Sequence, residues 1–493
     1  MYENQDQSRK KQNRTIGRSE SSGTVQSDET VLRDEFRPTR EAWRLILKNK
    51  KQGVHLAYEV RQGAFFRYKD SEGVWNEYRE EYIKSDIRDH VRRLRFGNDR
   101  KIGDKRYYRR EVFKALKDLL TDEENEVRFD PGHNPDSNLI NFKNGMYNVS
   151  EGKLRRHSKN YYSRIQIPHK YDPYAACPNW KKALADWVPD PETRSFLQEF
   201  VGYCLVPDNS HHKFLYLVGS GSNGKSTFLS VLEELFGSGN FEHIPLRKLT
   251  GQARFETRYL HGKLVNACAD IEGDSIPRTG VLKKIVAQDQ VRGEEKHGES
   301  FDFNCFSRLI FSANELPETD DNTDAFYRRM EIVKFPNKFG FGNREADVNF
   351  IQTLTGEMPG IVNWAVQGLH RLRKRGEFAP SDDMQRRKRE YRRGNDSVRA
   401  FFEDRIEQDE GGDVPCETVH EAFREYCSEH SLSVTGKSEF LRRLEQEFNV
   451  ERDTFSREIC EEHGRFMCPD QACRQSEPAD EVNRDMFKGI DLA

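Results

Sequence analysis

Residues Gly219 to Thr227 read GSGSNGKST, which is a complete G-x-x-x-x-G-K-[ST] pattern. Before them, Phe214–Val218 (FLYLV) is a short apolar run that predicts a β-strand. After them, Ser226–Phe236 has apolar residues at helical spacing and ends before Gly237. Glycines in a strand–loop–helix unit let backbone N–H groups turn inward around phosphates, and the helix start favours negative charge. The stretch predicts a phosphate-binding loop made of Gly219, Ser220, Gly221, Ser222, Asn223, Gly224, Lys225, Ser226 and Thr227.

Two side chains of this loop carry the predicted chemistry. Lys225 would reach the β and γ phosphates of a nucleotide, and the Ser226 hydroxyl would hold Mg²⁺. A glycine-rich turn between two ordinary elements is the alternative, because the chain contains 34 glycines. The strand and helix predicted on either side favour the phosphate-binding interpretation, with a nucleoside triphosphate and Mg²⁺ as ligands.

Composition bounds the remaining possibilities. The 493 residues correspond to about three domains, and the formal net charge of −3 does not indicate a nucleic-acid partner, so any basic surface must be local. No apolar stretch approaches the roughly 18 residues that span a bilayer, and the N-terminus lacks the apolar segment of a signal peptide. We expect a soluble, cytoplasmic protein without a membrane partner. Scattered cysteines predict reduced and mostly buried thiols at Cys177, Cys204, Cys268, Cys305, Cys416 and Cys427.

The order of predicted elements divides the chain into regions. Apolar strand-like runs alternate with helical ones between Phe214 and Phe335, which predicts an α/β core with a mostly parallel sheet. The polar N-terminal residues predict a disordered tail, and three helical patterns with a short β ribbon at the C-terminus predict a winged-helix module that binds DNA. The expected regions are the tail at 1–33, a mixed α+β region at 34–207, the nucleotide-binding core at 208–340, a helical segment with a basic linker at 341–395 and the winged-helix module at 396–493.

One stretch of the α+β region is locally basic. Residues Val91–Lys117 are dense in arginine and lysine, with Tyr107 and Tyr108 between them. This composition suits phosphates and stacked bases. A solvated helix face explains it at least as well, so both interpretations stay open.

Polar residues follow two further predicted strands of the core. Asp270 ends the apolar run in KLVNACADIEGD, and Glu272 follows two residues later, on the same face of an extended chain. Either carboxylate could polarise a water molecule, and Asp270 could complete the Mg²⁺ shell with Ser226, although both could begin a polar loop. Asn314 ends the strand in RLIFSANELPETDD, where it could orient the attacking water or serve as a turn residue.

A pair of arginines precedes the last predicted strand of the core. Arg328 and Arg329 lie in DAFYRRMEIVKF, fifteen residues beyond Asn314. An arginine at this place could act as a finger on the nucleotide of a neighbouring subunit, which is worth roughly 10³ to 10⁵ in rate where it has been measured. A surface ion pair is the alternative, and the order of the motifs favours the finger.

A predicted hairpin carries basic residues at its tip. The segment VRGEEKHGESFDF, residues 291–303, places Lys296 and His297 at the turn. Such a tip could contact the backbone of a single nucleic-acid strand inside a ring. An exposed hairpin without that role is the alternative.

These motifs, taken in order, resemble the superfamily III helicase domain. GSGSNGKST, GKLVNACADIE, LKKIVAQD with EEKHGESFDF, IFSANELPETDD and FYRRMEIVKF are similar to the C-terminal region of phage and plasmid primases and of the poxvirus helicase-primase. The resemblance extends upstream to NLINFKNGMYNV and FLQEFVGYCLV and downstream to MPGIVNWAVQGLHRL and SVRAFFEDRI. It covers most of the chain from about residue 55 onward.

The resemblance implies an AAA+-type P-loop core that hydrolyses ATP, with Mg²⁺, between the subunits of a hexameric ring around single-stranded DNA. The positions that match the family's motifs are Lys225 and Ser226 of the phosphate loop, Asp270 of the acidic strand, Lys283 and Lys296 of the DNA-hairpin motif, Asn314 as the polar sensor, and Arg328 or Arg329 as the finger.

The sequence departs from that family in two respects. Ala269 stands where many relatives carry a second acid beside Asp270, which leaves open whether Asp270 or Glu272 positions the water. Only a short polar tail precedes the matched region, and no pair of strand-borne carboxylates suits nucleotidyl transfer. We therefore expect no primer synthesis by this chain and a separate primase or polymerase as partner.

A cysteine- and histidine-rich segment lies near the C-terminus. Cys460, His463, Cys468 and Cys473 give the spacing C-x2-H-x4-C-x4-C, with four N/S ligands that would suit tetrahedral Zn²⁺. The order of ligands is unusual for a zinc knuckle. A loop inserted into the wing of the module is the alternative.

The leading hypothesis from the sequence is an ATP-dependent DNA helicase for replication of a virus or plasmid, acting on single-stranded and forked DNA. The hexamer and the 3′-to-5′ polarity come from the resemblance alone. An ATP-switched initiator or loader, which assembles on DNA without sustained unwinding, is the main alternative. A small-molecule P-loop kinase would explain neither the hairpin motif nor the terminal module.

Overall fold

A computed structural model describes residues 36–60, 63–94, 106–121, 138–250, 255–271, 276, 278–294, 300–339, 344–448, 450–456 and 483–492. The chain divides into two compact units, one within residues 1–71 and 76–128 and the other within residues 72–75 and 129–493. Across the described ranges, no helix combines the length and the apolar character needed to cross a membrane. Of the six scattered cysteines, five are buried as predicted and Cys268 is half-buried.

The first unit is a small α+β fold. Its elements in chain order are α1 (Pro38–Lys51), β1 (Val54–Glu59), β2 (Ala64–Lys69), β3 (Trp75–Glu77), α2 (Glu80–Arg93) and α3 (Arg106–Leu120). β1 and β2 pair antiparallel, and β3 lies beside β2. The amphipathic helices bury Leu45, Ile87 and Val112 in one core with Phe65 of β2. Helical periodicity predicted only the middle of α1 and most of α3.

The second unit begins with an antiparallel meander and two helices. These elements are β4 (Leu139–Phe142), β5 (Gly145–Asn148), β6 (Lys153–Arg155), α4 (Pro178–Trp187) and α5 (Pro191–Tyr203). Asp190 caps α5 by accepting a hydrogen bond from the backbone N–H of Thr193, which satisfies one of the free donors at the helix start. Residues of both helices enter the same core as Leu215 and Leu217 of the central sheet, and α5 packs mainly against the helix at residues 358–375. Helix α4 ends at Trp187 beside the predicted phosphate loop.

The central sheet confirms the predicted mixed α/β fold with a parallel sheet. The elements of this part are β7 (Phe214–Val218), α6 (Lys225–Phe236), β8 (Phe241–Glu242), α7 (Leu246–Thr250), β9 (Val265–Ile271), α8 (Gly280–Val286), β10 (Gln290–Glu294), β11 (Ser300–Asn304), β12 (Arg308–Ala313), α9 (Asp324–Tyr327) and β13 (Met330–Lys334). Five strands lie in the order β13-β7-β12-β9-β8, and every neighbouring pair is parallel. β10 and β11 form the predicted hairpin as a separate antiparallel pair.

Both faces of this sheet are covered, which explains its continuous apolar strands. Leu215 and Leu217 of β7 enter one core with helix α6, while Phe214 and Tyr216 enter a second core on the opposite face. Because all five strands are parallel, their carboxyl ends lie at one edge of the sheet. That edge is where ligands bind in open α/β sheets.

Helices beyond the sheet lead to the C-terminal module. They are α10 (Arg344–Thr355), α11 (Met358–Arg375) and α12 (Asp382–Asn395). The segment predicted as a basic linker is therefore largely the helix α12. Its Lys388 pairs with buried Glu331 of β13 (3.2 Å), and its Tyr391 hydroxyl donates to the carbonyl of Pro317 (2.6 Å), so these contacts fix it against the core.

In its described residues, the C-terminal module contains three helices and a three-stranded antiparallel sheet. Its elements are α13 (Ser397–Arg405), β14 (Ile406–Pro415), α14 (Cys416–Glu429), α15 (Lys437–Glu447), β15 (Glu451–Ser456) and β16 (Asn483–Leu492), with the sheet order β14-β16-β15. Phe401, Phe423 and Phe440, one from each helix, meet in its core. Buried Arg443 of α15 pairs with buried Asp396 (2.8 Å) and ties the module to the end of α12.

Candidate nucleotide-binding site

Neighbouring strands hold the GSGSNGKST loop at the carboxyl edge of the sheet. The loop leaves β7 at Gly219, whose N–H donates to the carbonyl of Ala313 at the end of β12 (3.2 Å). On the other side, the N–H of Phe335 after β13 donates to Val218 (2.8 Å), and the N–H of Phe339 donates to the carbonyl of Ser222 (2.8 Å). The loop is therefore anchored at both flanks before α6 begins at Lys225.

The loop backbone needs its glycines. Gly221 and Gly224 have φ angles of +92° and +90°, and Ser222 lies in the same left-handed region at +48°. A β-carbon on Gly224 would lie 2.3 Å from the Nε1 atom of Trp187, whereas one on Gly221 would meet no atom within 4 Å. Strained backbone of this kind is frequent at ligand-binding sites, where the surrounding structure enforces it.

This difference between two glycines of one loop gives a testable prediction. We expect Gly221→Ala to lower the free energy of unfolding by about 1–2 kcal/mol, the cost of a left-handed alanine. Gly224→Ala adds an overlap with Trp187, so its loss should be about 2–5 kcal/mol. Chemical denaturation followed by tryptophan fluorescence measures both values. Equal losses in the two variants would contradict the packing of Trp187 on the loop.

Lys225 lies inside the loop. It is only 4% exposed, and its Nζ donates to the carbonyl of Gly219 and to Oδ1 of Asn223 (3.1 Å). Asn223 is itself buried and donates through Nδ2 to the carbonyl of Phe335 (3.2 Å). Hydrogen bonds to the loop therefore position the ammonium group of Lys225. Ser226 is exposed on the first turn of α6. These placements suit the predicted phosphate contact of Lys225 and the predicted Mg²⁺ contact of Ser226.

Asn314 lies beside the loop. It directly follows Ala313, which pairs with Val218 of β7 on one side and with Ile271 of β9 on the other. Asn314 is exposed at this edge, between the phosphate loop and the strand that carries Asp270. A polar side chain at this position can reach a water molecule near the terminal phosphate.

The acidic strand has an irregular end. Phe311 pairs with Cys268 and Ala313 with Ile271, so β9 contains one extra residue between the two pairs, at Ala269–Asp270. A bulge redirects side chains and is common next to active sites. In a regular strand, side chains two residues apart point to the same face, and this rule was the basis for predicting that Asp270 and Glu272 share a face. The bulge interrupts that regular alternation next to Asp270. The structure describes the backbone of Asp270 but not its side chain, and Glu272 lies outside the described residues.

The two arginines lie at the opposite edge of the sheet. The carbonyl of Arg329 accepts a hydrogen bond from the N–H of Phe214, the first residue of β7 (2.8 Å). β7 is five residues long, so it separates the arginines from the loop by roughly 15 Å. Within one chain, neither arginine can act on a nucleotide held by the loop.

The structure distinguishes the two arginines. The Arg329 side chain is half-buried and donates to the carbonyl of Ala325 (2.6 Å), and its burial, together with the charge of Arg328, lowers the pKa of the guanidinium. The Arg328 side chain is exposed. Arg328 is therefore the one available to a second molecule, a distinction that the sequence left open.

Lys283, predicted as a DNA contact, pairs with a carboxylate of the same chain. Its Nζ lies 2.7 Å from Oδ2 of Asp321, in the loop that follows Asn314, and both side chains are partly buried. Asp321 lies within the motif RLIFSANELPETDD, but the sequence does not indicate its ion pair, because the partner Lys283 lies 38 residues away. Trp187 was missed for the same reason. Lys296 and His297 lie outside the described residues, in the segment of sequence between β10 and β11.

The C-terminal module is acidic. Residues 396–493 contain 25 aspartates and glutamates against 12 lysines and arginines. The basic residues of α15 are already paired, since Lys437 contacts Glu417 (2.9 Å), Arg442 contacts Glu439, and Arg443 is buried. Such a surface does not favour a phosphate backbone. The proposed zinc ligands Cys460, His463, Cys468 and Cys473 lie outside the described residues.

Three protein families match parts of the chain. Residues 32–189 match the family described as D5 N terminal like, residues 217–329 a family of unknown function (DUF5906), and residues 393–462 the family described as Poxvirus D5 protein-like. The central match thus covers the loop, the acidic strand, Asn314 and both arginines.

Curated relatives include several viral proteins. The "Putative helicase L207/L206" of Acanthamoeba polyphaga mimivirus is 25% identical over 232 residues, which are 43% of this chain and 24% of that protein. The "Putative helicase 022R" of Frog virus 3 (isolate Goorha) is 22% identical over 273 residues, 50% of this chain and 28% of that protein. The chain therefore spans only about a quarter of the length of these relatives.

A solved structure shares the fold. The apo C-terminal region of NrS-1 superposes with a TM-score of 0.52 at 11% identity, covering 91% of this chain and all of that one. This similarity shows the fold. The family matches and the viral relatives confirm the resemblance to the primase-helicase family that the motifs predicted.

Proposed function

From its resemblance to the viral primase-helicase family, we propose that this chain is an ATP-dependent replicative DNA helicase of a virus or plasmid. The observation that carries the proposal is the division of the site between the two edges of one sheet. The phosphate loop and Asn314 lie at one edge, and exposed Arg328 lies at the other. A complete site then requires a second copy of the chain.

We propose that the core is of the AAA+ type. β12, which ends in Asn314, lies between the loop strand β7 and the acidic strand β9. This order places the polar sensor between the phosphates and the carboxylate, where an attacking water would lie. If the strands followed one another in chain order, β8 or β9 would lie next to β7. Asn314, at the end of β12, would then not lie between the phosphate loop and the acidic strand.

In the proposed site, each residue has one task. Lys225 binds the β and γ phosphates, Ser226 and Asp270 would hold Mg²⁺, and the metal would neutralise charge on the phosphate oxygens. Asn314 orients the attacking water, and Asp270 or Glu272 polarises it. Arg328 of a neighbouring copy stabilises the charge of the transition state. Because each ring interface would combine both edges, we propose a closed ring, with a hexamer as the expected size.

We propose that DNA is bound by the hairpin rather than by the C-terminal module. The module has the helix and strand order of a winged helix, but its acidic surface repels phosphates. The hairpin strands β10 and β11 follow α8 in the chain. Exposed Lys284 of α8 accompanies the predicted tip residue Lys296, while Arg292 of β10 pairs with Asp302 of β11 (3.1 Å). Translocation with 3′-to-5′ polarity is part of the proposal.

Unwinding of forked DNA tests this function. We expect ATP-dependent strand displacement from a substrate with a 3′ single-stranded tail and at least tenfold less from one with only a 5′ tail, at equal enzyme concentration. Light scattering with a non-hydrolysable ATP analogue should report the ring. Robust ATPase without displacement on either substrate would favour the initiator or loader instead.

A further inference from the structure

The loop that follows Asn314 makes contacts on two sides. This segment, residues 314–323, is called the sensor loop below. Its Glu318 carbonyl accepts from the N–H of Ile276 (2.8 Å), in the segment before α8. On its other side, the Thr319 N–H donates to Oδ1 of Asn395 at the end of α12 (2.9 Å). The sensor loop is therefore the place where the nucleotide edge, α8 and α12 meet.

Asp321 forms the strongest of these links. Its carboxylate accepts from Nζ of Lys283 (2.7 Å) and from the hydroxyl of Thr279, the residue that precedes α8. It also accepts from the N–H of Thr323 within the loop (3.1 Å). Burial alone would raise the pKa of Asp321, but the hydrogen bonds from Lys283, Thr279 and Thr323 outweigh it and lower the pKa. The carboxylate therefore stays charged and clamps both the start and the second turn of α8.

Helix α8 carries the hairpin. It ends at Val286, and β10 begins four residues later at Gln290. Its C-terminal end is held separately, because Nδ2 of buried Asn209 donates to the carbonyl of Ile285 (3.1 Å). Since Asn209 holds one end, a displacement of Asp321 would act on the other end of α8, and the helix would tilt together with the hairpin that follows it.

We propose that Asp321 is a positioning residue that couples the nucleotide state sensed at Asn314 to the DNA-binding hairpin, through Lys283 and Thr279. This inference rests on the proposed function. It reassigns Lys283 from a direct DNA contact to one half of a mechanical link. A partly buried ion pair suits such a link, because breaking it would leave each charge partly shielded from water and without its partner, so loop and helix would move together.

The coupling has a measurable form. If nucleotide state changes the affinity of the ring for single-stranded DNA by some factor, DNA changes the affinity for nucleotide by the same factor, typically 5- to 150-fold in coupled systems. For the wild type, we expect the affinity for single-stranded DNA in the presence of a non-hydrolysable ATP analogue to differ by such a factor from the affinity in the presence of ADP. This factor is the nucleotide-dependent affinity ratio. Fluorescence anisotropy with a labelled oligonucleotide measures it directly.

Asp321→Asn tests the link, since asparagine can still accept from Thr279 but has no charge for Lys283. We expect the nucleotide-dependent affinity ratio to fall to below 2-fold, while ATP hydrolysis without DNA stays within about threefold of wild type because Asp321 does not touch the nucleotide. Asp320→Asn is the matched control, as Asp320 is the adjacent, exposed acid. It should keep the full ratio.

Lys283→Gln provides the second variant, with Lys182→Gln, at an exposed position of α4, as its control. We expect Lys283→Gln to lose the ratio, and the double variant with Asp321→Asn to be no worse than either single one. Lys283→Gln could instead lose DNA affinity equally in both nucleotide states, with the slope of log affinity against log salt concentration reduced by about one. That result would identify Lys283 as a DNA contact and contradict its proposed role in the coupling.

Failure of the inference and failure of the proposed function are distinguishable. A wild type that neither hydrolyses ATP nor changes DNA affinity with nucleotide would contradict the helicase itself. A coupled wild type together with a fully coupled Asp321→Asn variant would overturn only the role of Asp321. If Asp321→Asn does not fold, the Lys283→Gln result decides between the same outcomes.

Discussion

Lys225→Ala should lower ATP hydrolysis by roughly 10²- to 10³-fold or more and abolish DNA unwinding. The ammonium group lies inside the loop, and it is the only charge that the loop itself can offer to phosphate oxygens in the part of the chain that the structure describes. Its loss removes a preorganised positive charge from the place where negative charge develops. Steady-state phosphate release with and without single-stranded DNA measures the effect.

Folding must be separated from chemistry in this variant. Lys225 donates to Gly219 and Asn223, so alanine leaves two acceptors without their donor, at a cost of about 1–3 kcal/mol. Thermal unfolding should therefore show a modest loss. Lys182→Ala, which replaces an exposed lysine of α4, is the matched control. Its ATPase rate and its melting temperature should equal those of the wild type. ATPase activity above a tenth of wild type in a folded Lys225→Ala variant would remove GSGSNGKST as the catalytic loop.

Most of the core could be predicted from the sequence, because its strands are buried on both faces. Runs such as FLYLV and RLIF have no polar alternation, and four of the five sheet strands lie within one or two residues of the predicted ones. The two-residue strand β8 was not predicted. The hairpin was predicted for a similar reason, since its strands flank a glycine-containing polar turn. These features depend on local sequence alone.

Two elements of the C-terminal half could not be predicted in this way. The segment IEQDEGGDVP forms β14, although glycine and aspartate are depleted in strands, because it pairs with β16 about eighty residues later in the chain. Likewise, α12 consists mostly of charged residues, so no apolar stripe indicates a helix. Its few packing residues make tertiary contacts: the Tyr391 hydroxyl donates to Pro317 in the sensor loop and its ring meets Tyr327 of α9, while Met384 is buried in the core.

The sequence indicates which residues belong to the candidate site, but it does not indicate how they are arranged in space. Sequence gives no strand order, so the position of Asn314 between the loop and β9 emerges only from the sheet. The partner of Lys283 and the different exposure of Arg328 and Arg329 also depend on tertiary packing. These arrangements decide which predicted residues can act in one chain and which need a second copy.

Arg328→Ala should reduce ATP hydrolysis by roughly 10³-fold while leaving nucleotide binding intact, because the residue acts across a subunit interface. Arg329→Ala is the matched control: its guanidinium bonds to Ala325 within the chain, so its main effect should be a lower melting temperature. Isothermal titration with a non-hydrolysable analogue separates binding from turnover.

Mixing two inactive variants gives the sharpest test of the divided site. Lys225→Ala lacks the loop lysine but keeps Arg328, and Arg328→Ala has the reverse defect. In rings assembled from equal amounts, about a quarter of the interfaces combine an intact loop with an intact arginine, so ATPase activity should reappear at up to roughly that fraction of wild type. Recovery requires that each site draws on two chains. If the mixture stays as inactive as its components although mixed rings form, Arg328 does not act in trans, and the division of the site between the two edges of the sheet has no catalytic meaning.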